Sequence, residues 1–114
     1  MTATKPGPQS QRYVLIMPTR DEEKYLQQTL DCIIRQTVLP VELVIVNDGS
    51  KDRTGDIAEA AAHQHPWIHV VHRGDRGDRK VGGGVVDTFY AGYDALRTAD
   101  YEYICKIDAD LSLP

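Results

Sequence analysis

The chain has 114 residues, of which 41% are hydrophobic and 26% are charged, a composition typical of a folded domain and not of a disordered or fibrous protein. Its formal net charge of −4 gives no support for nucleic acid as a partner. No stretch approaches the roughly 20 apolar residues of a membrane span, and the N-terminus has no apolar signal core, so we expect a cytoplasmic location, with membrane association left open for the full-length protein.

The first part of the chain changes from a polar segment to a strand and then to a helix. Residues 1–12 are polar and contain two prolines and a glycine, which predicts a flexible tail. The apolar run 13–17, closed by Pro18, predicts a central strand covered on both faces. Thr19 followed three residues later by Glu22 forms a capping-box pattern, so the first helix is predicted over residues 22–36.

The same alternation continues along the rest of the chain. Residues 41–46 predict a second strand, and a second helix follows with Asp52 or Thr54 as its cap. Residues 68–71 and 101–107 predict the third and fourth strands. A polar, glycine-rich segment over residues 73–84 leads into a third helix, which carries apolar residues at helical spacing: Val85, Val86, Phe89, Tyr93 and Leu96. Strands separated by helices of this length join through right-handed crossovers, which predicts a parallel sheet with helices on both faces.

Polar residues follow three of the predicted strands directly, over residues 19–22, 47–50 and 108–110. Parallel sheets of this kind bind ligands at the carboxyl ends of their strands, so the three turns are expected to face one ligand. Asp108 and Asp110 could hold a hard divalent cation through carboxylate oxygens. Two aspartates after a strand are, however, also typical of a turn or a helix cap.

The cysteines and histidines suggest no further site. Cys32 and Cys105 have no metal-binding or redox spacing, and both are expected to be buried free thiols. The histidines are expected to be surface or partly buried residues around the second helix and the third strand: His63, His65, His69 and His72.

Taken together, these motifs resemble the N-terminal half of a family 2 glycosyltransferase of the GT-A fold. The segments that carry the resemblance are residues 14–23, residues 44–54, Lys80 with residues 82–84, and residues 108–110. The resemblance covers nearly everything from Tyr13 to Pro114. It implies an α/β, Rossmann-like nucleotide-binding half with a mainly parallel four-stranded sheet in the order third, second, first, fourth.

The resemblance also implies an activity. The expected reaction transfers a sugar from a nucleoside diphosphate sugar, with a UDP-sugar as the expected donor, by an inverting reaction assisted by Mg²⁺ or Mn²⁺. The acceptor would be a saccharide or a lipid-linked molecule of cell envelope polysaccharide synthesis. Since the family's general base follows the D-x-D strand, the chain is expected to carry the donor-binding half and to be inactive alone. An open outer edge on the fourth strand would also favour a homodimer.

By the same resemblance, Pro18, Thr19 and Glu22 would line the nucleoside site. Asp48 would accept a hydrogen bond from the base, as a carboxylate can from a uracil N–H. Both acidic residues have local alternatives, because Asp48 can shape a turn and Glu22 can complete a helix cap. The family often has asparagine where this chain has Asp21, which leaves the role of that position open.

The remaining implied roles concern the diphosphate and the metal. Asp110 would bind the cation directly, and Asp108 would lie nearer the ribose or reach the cation through water. Lys80 would add positive charge near the diphosphate, where the N-terminus of the third helix also favours anions. A glycine-rich polar segment can equally be a flexible loop without such a role.

Two other classes of function stay open. A nucleotidyltransferase can use a similar sheet and aspartate pair, but it would usually have a glycine-rich, lysine-containing loop after its first strand, where this chain has residues 18–21. The second alternative is a non-catalytic module that binds nucleotides or associates with itself. Metal-dependent binding of UDP would support the transferase, and absence of binding to any nucleotide would support the module.

Overall fold

A computed structural model of the protein describes residues 12–74 and 84–110, except for the side chains of residues 84 and 85. In this part of the chain strands and helices alternate: β1 (Tyr13–Thr19), α1 (Leu26–Ile34), β2 (Glu42–Asp48), α2 (Thr54–Gln64), β3 (Ile68–Arg73), α3 (Gly84–Asp94) and β4 (Tyr103–Lys106). The strands form one parallel sheet in the order β3-β2-β1-β4. The predicted fold class and strand order are therefore confirmed.

β1 and β2 form the buried centre of the sheet. Every residue of β2 is buried, and Val14 and Ile16 of β1 are fully covered, as expected for apolar strands packed on both faces. Pro18 does not end β1 as predicted, because the strand continues to Thr19. Pro18 lies beyond Ile16, the last residue of β1 that pairs with β4, so its missing N–H removes no hydrogen bond between these strands.

The helices cover the two faces of the sheet. Leu15 and Ile45 pack against α1 and α2 on one face, whereas Ile16 and Val46 pack against α3 on the other. Gly92 lets α3 approach closely, since a Cβ there would lie 2.5 Å from Ile16 Cγ2 and 2.9 Å from Val46 Cγ2. In a right-handed crossover the helix runs back along the sheet, so α3 begins near the carboxyl ends of the strands.

Helix α1 begins later than the sequence pattern predicts. Thr19 Oγ1 donates a hydrogen bond to the Val46 carbonyl at 2.9 Å, and α1 starts at Leu26 with no side-chain cap at Tyr25. The predicted capping box and the predicted helix over residues 22–36 are therefore wrong. The physical reason is that Thr19 belongs to β1 and bonds to β2, so residues 20–25 form a loop. The ends of the other predicted elements shift by a few residues at most.

The edge strand β4 corrects one prediction about the cysteines. Cys32 of α1 is buried, as predicted, but Cys105 of β4 is exposed. The described helices leave this face of the edge strand uncovered, and Tyr103 beside it is 60% exposed. The histidines agree with expectation: His63 and His72 are exposed, and the other two are half-buried.

Several sequence predictions fall outside the described residues. Most of the predicted tail, residues 1–11, lies there, while Arg12 is placed by a hydrogen bond from its Nε to the Asp100 carbonyl at 2.7 Å. Lys80 and residues 75–83 around it also lie outside the described part. Within residues 12–74 and 84–110, no helix is long and apolar enough to cross a membrane.

Candidate functional site

The carboxyl ends of β1, β2 and β4 bring three acidic turns to one rim of the sheet. Glu22 follows β1, Asp52 follows β2, and Asp108 and Asp110 follow β4. Burial raises the pKa of Glu22, and the negative charges of Asp110, Asp52, Asp108 and Asp21 raise it further. The carboxylates of the other two turns therefore lie close enough for their charges to act on Glu22.

The loops after β1 and β2 form one hydrogen-bonded unit. Ser50 Oγ accepts the Asp21 N–H at 3.0 Å, and Asp21 Oδ1 accepts the Lys51 N–H at 2.7 Å. Asp21 has a φ of 52° and Gly49 a φ of 69°, in the left-handed region that glycine and aspartate tolerate best. Asp21, whose role the sequence left open, therefore joins the two loops.

Asp52 and Thr54 strengthen the same connection. Thr54 Oγ1 accepts the Glu22 N–H at 2.7 Å and donates to Asp52 Oδ1 at 2.5 Å, while Asp52 Oδ2 accepts the Glu23 N–H at 3.2 Å. Burial alone would raise the pKa of Asp52, but the hydrogen bonds from Thr54 and Glu23 lower it. The sequence predicted one of these two residues as the cap of the second helix, but the N-cap of α2 is Arg53, without a side-chain hydrogen bond. Asp52 and Thr54 instead hold the backbone of Glu23 and Glu22 at the rim.

Asp48 lies deeper, between β2 and α3, and is only 1% exposed. Its Oδ2 accepts a hydrogen bond from Thr88 Oγ1 at 3.0 Å, and Arg20 Nη1 donates to its carbonyl at 3.0 Å. Arg73 Nη1 reaches Thr88 Oγ1 at 3.4 Å, a long contact. The Asp48 carboxylate is thus an oriented acceptor beneath the rim. Thr88 and Arg20 were missed from the sequence, although a threonine on the apolar face of a helix was a usable signal.

The aspartate pair after β4 is fixed through the residue between its members. Asp108 and Asp110 are exposed, whereas Ala109 is 4% exposed. Thr29 Oγ1 of α1 donates to the Ala109 carbonyl at 2.6 Å, and the Ile107 N–H donates to β1. Buried backbone contacts therefore hold the turn while both carboxylates remain accessible.

The carboxylates at this rim fit a hard divalent cation only with help from a ligand. Among residues 12–74 and 84–110, no group of three or more histidine, cysteine, aspartate or glutamate side chains is placed to hold a metal. Mg²⁺ sites commonly combine one or two protein carboxylates with substrate phosphates and water, so two exposed aspartates suit such a site. Lys106 Nζ lies 2.5 Å from Asp108 Oδ1, which favours Asp110 as the direct ligand.

Comparison with known proteins identifies the family. The sequence matches the model described as Glycosyl transferase family 2 over residues 14–114. The chain belongs to this family. EpsJ, an uncharacterized glycosyltransferase of Bacillus subtilis (strain 168), is 36% identical over 96 residues, which are 84% of this chain and 25% of EpsJ.

Two further relatives of this family 2 chain extend the comparison. The undecaprenyl-phosphate mannosyltransferase of Micrococcus luteus is 32% identical over 99 residues, 87% of this chain and 38% of that protein. The mannosyltransferase PcManGT from Pyrobaculum calidifontis, solved with GDP-Man and Mn²⁺, has a TM-score of 0.68 and 28% identity, covering 96% of this chain and 31% of PcManGT. The architecture is that of GT-A glycosyltransferases. The chain spans only 25% to 38% of the length of these three proteins.

In this family 2 chain the residues expected to bind the donor lie at different depths. Pro18 and Thr19 are the last paired residues of β1, and Thr19 is 2% exposed, with its hydroxyl bonded to the Val46 carbonyl of β2. Glu22 is half-buried at the rim, Asp108 is exposed and Asp48 is covered by α3. The structure therefore brings the acidic residues to one end of the sheet and gives Thr19 a supporting position.

Proposed function

We propose that this chain is the donor-binding part of a glycosyltransferase that takes a sugar from a UDP-sugar and passes it to a saccharide or lipid-linked acceptor of cell envelope polysaccharide synthesis. One observation carries the proposal. A buried, oriented carboxylate at the last residue of β2, Asp48, and an exposed aspartate pair after β4, Asp108 with Asp110, lie at the same end of one sheet. A nucleoside diphosphate presents a base at one end and phosphates at the other, which matches this separation of roles.

Asp48 supports recognition of a base that has a ring N–H. A carboxylate accepts hydrogen bonds only, and uracil offers its N–H between two carbonyl groups. Guanine also offers N–H donors, and PcManGT was solved with GDP-Man. Because Asp48 is 1% exposed, the base must displace side chains such as Thr88 to reach it, and we propose that the smaller uracil does so. The new hydrogen bond would replace the one from Thr88.

The aspartate pair supports a divalent cation, Mg²⁺ or Mn²⁺, held directly by Asp110 and by Asp108 directly or through water. Such a cation supplies Lewis-acid stabilisation of the charge that develops on the departing nucleoside diphosphate. The chain's own part is to fix these carboxylates, which it does through Thr29 and the Ala109 carbonyl. A cation here would also offset the carboxylate repulsion that contributes to the raised pKa of Glu22. PcManGT, solved with Mn²⁺, supports metal use in related proteins.

An inverting transfer also needs a general base beside the acceptor hydroxyl. We assign none of the described residues to that role, so the chain alone is expected to bind donor better than it transfers sugar.

A cytoplasmic location stays a prediction from the sequence.

A nucleotidyltransferase is the weaker alternative. The backbone N–H groups of the loop after β1 donate to side chains of the loop after β2 and of the first residue of α2: Asp21 to Ser50, Glu23 to Asp52 and Glu22 to Thr54. They are therefore already engaged and do not form a phosphate-binding cradle. A non-catalytic nucleotide-binding module would share the donor site, and transfer activity of a longer protein would exclude it.

Calorimetric titration with UDP, GDP and uridine, each with and without Mn²⁺, tests the proposal. Asp48→Asn should weaken uridine and UDP binding by roughly 1–3 kcal/mol, with or without metal, because it replaces the charged carboxylate by a neutral amide with one acceptor oxygen and an NH₂ donor. Asp110→Asn should leave uridine binding unchanged and abolish the effect of Mn²⁺ on UDP binding. Asp56→Asn, at an exposed aspartate of α2 paired with Arg53, is the matched control and should change nothing.

Two results would contradict the proposal. Unchanged Mn²⁺ dependence in the Asp110→Asn variant would leave the aspartate pair with a purely structural role. Absence of binding to any nucleoside diphosphate would favour the self-associating module.

The edge of the sheet supports one further part of the proposal. Within the described residues, β4 pairs with β1 on one side only, which leaves a row of backbone groups on its outer edge. We propose that a second copy of the chain pairs there, and sedimentation velocity can measure this association.

A further inference from the structure

A continuous series of hydrogen bonds links the surface of α2 to the turn after β2. Asn47 Oδ1 accepts the Ser50 N–H at 3.2 Å, and Asn47 Nδ2 lies 3.1 Å from His72 Nδ1. His72 Nε2 lies 2.6 Å from Glu59 Oε2 of α2. Asn47 is 8% exposed and immediately precedes Asp48, so this series, the Glu59–His72–Asn47 relay, ends beside the proposed base-binding residue.

The chemistry of the groups fixes the direction of each bond in the relay. The Ser50 N–H can only donate, so Asn47 must turn its carbonyl oxygen toward Ser50 and its NH₂ group toward His72. Because that NH₂ group can only donate, His72 Nδ1 must be an unprotonated acceptor. The ring proton of His72 therefore lies on Nε2 and is donated to the Glu59 carboxylate. Only this neutral tautomer of His72 completes the relay.

Gly55 in the first turn of α2 preserves the space that the relay occupies. A Cβ at this position would lie 2.8 Å from Asn47 Nδ2 and 3.5 Å from His72 Cε1. Alanine is the better helix former, yet here its methyl group would press on the buried amide of Asn47. The helix thus carries a glycine where a larger residue would displace the relay.

The relay is connected to both loops of the candidate site. The hydrogen bond from the Ser50 N–H to Asn47 Oδ1 fixes the position of Ser50. Ser50 Oγ in turn accepts the Asp21 N–H at 3.0 Å. The orientation of the Asn47 amide therefore sets the turn that follows Asp48 and its connection to the loop after β1.

We propose that His72 and Glu59 are positioning residues for the donor site: through the Nε2–H tautomer of His72 they hold the Asn47 amide, which shapes the turn that follows Asp48. Neither residue has to contact the donor. The inference rests on the proposed function, which assigns binding of the base to Asp48.

The first test reads the tautomer directly. Two-bond ¹H–¹⁵N correlation spectra of protein labelled with ¹⁵N-histidine should show His72 with an unprotonated Nδ1 and a protonated Nε2, the signals being assigned by their loss in His72→Asn. Asn47→Asp replaces the NH₂ donor by a carboxylate, so it should move a proton onto Nδ1. A wild-type ring protonated on Nδ1 would overturn the proposal, whatever the protein binds.

The second test measures binding of UDP with a pair of variants at each position. His72→Asn keeps an acceptor near the place of Nδ1, whereas His72→Leu removes it. We expect UDP affinity about 3- to 10-fold weaker for His72→Leu, corresponding to one lost hydrogen bond, and near the wild-type value for His72→Asn. At the exposed Glu59, Glu59→Ala should weaken binding and Glu59→Gln should restore most of it, and neither change endangers folding.

The outcomes separate this inference from the proposed function. If the wild type binds no nucleoside diphosphate, the proposed function fails and the positioning role fails with it. If the wild type binds UDP and both His72→Leu and Glu59→Ala bind it equally well, only the positioning role fails.

Discussion

Replacing Thr29 with valine should loosen the Asp108–Asp110 turn without changing any residue of the turn. Thr29 is 1% exposed, and its hydroxyl donates at 2.6 Å to the carbonyl of Ala109, which is 4% exposed. Valine nearly conserves the shape and removes only the donor. Removing one partner of a buried hydrogen bond costs about 1–3 kcal/mol, because the other partner loses its compensation for desolvation. The free energy of unfolding should fall by that amount.

Thr29→Ser is the matched control, because it keeps the hydroxyl and removes one methyl group, at a cost of about 1 kcal/mol. Urea unfolding followed by circular dichroism measures the stability of both variants. Titration with UDP, with and without Mn²⁺, then measures the site under conditions in which each variant is folded. The valine variant should lose more of the Mn²⁺ dependence than the serine variant. Equal stability of valine variant and wild type, or full Mn²⁺ dependence in the valine variant, would refute the reasoning.

Two predictions concern other parts of the sheet. Burial alone would raise the pKa of Glu42, but hydrogen bonds from the N–H groups of Arg97 and Thr98 lower it below the ordinary value of 4.5. The ionised Glu42 therefore stabilises the fold above about pH 4.5, and this contribution to the free energy of unfolding is lost as the pH falls through the folded-state pKa. Glu42→Gln should lower the free energy of unfolding near pH 7 by about 1–3 kcal/mol and flatten its loss in acid, as urea unfolding at several pH values can measure. At the edge of the sheet, sedimentation velocity should show a concentration-dependent dimer that Tyr103→Lys removes; a monomer at every concentration would contradict pairing at β4.

The sequence was informative where structure depends on local patterns. Apolar runs bounded by prolines and turn residues marked all four strands. The acidic residues at the carboxyl ends of β2 and β4 could be placed at one rim because parallel strands share their carboxyl ends. The same local logic failed at Thr19. Its spacing from Glu22 fits a capping box, but a tertiary hydrogen bond to Val46 took the hydroxyl instead. Tertiary contacts override such weak local preferences.

The contacts that hold the site join residues far apart in the chain, which explains why spacing could not reveal them. Thr88 reaches Asp48 across 40 positions, and Thr29 reaches Ala109 across 80. Exposure of Cys105 was equally hidden: the expected strand order placed the fourth strand at an edge, but an apolar strand pattern does not tell which face of an edge strand the helices leave uncovered. Donor and acceptor directions, as in the relay through His72, need coordinates of every partner.

The way the acidic turns are anchored explains what kind of ligand the rim should prefer. The carboxylates of Asp21 and Asp52 accept hydrogen bonds from backbone N–H groups, which hold both side chains in place at the rim. Repulsion between Glu22 and the neighbouring aspartates contributes to the raised pKa of Glu22. A diphosphate alone would add negative charge to this field and be repelled. A divalent cation bound with the diphosphate reverses the balance, because it attracts the carboxylates and the phosphates together. We therefore expect the rim to bind the metal complex of a nucleoside diphosphate more tightly than the free nucleotide.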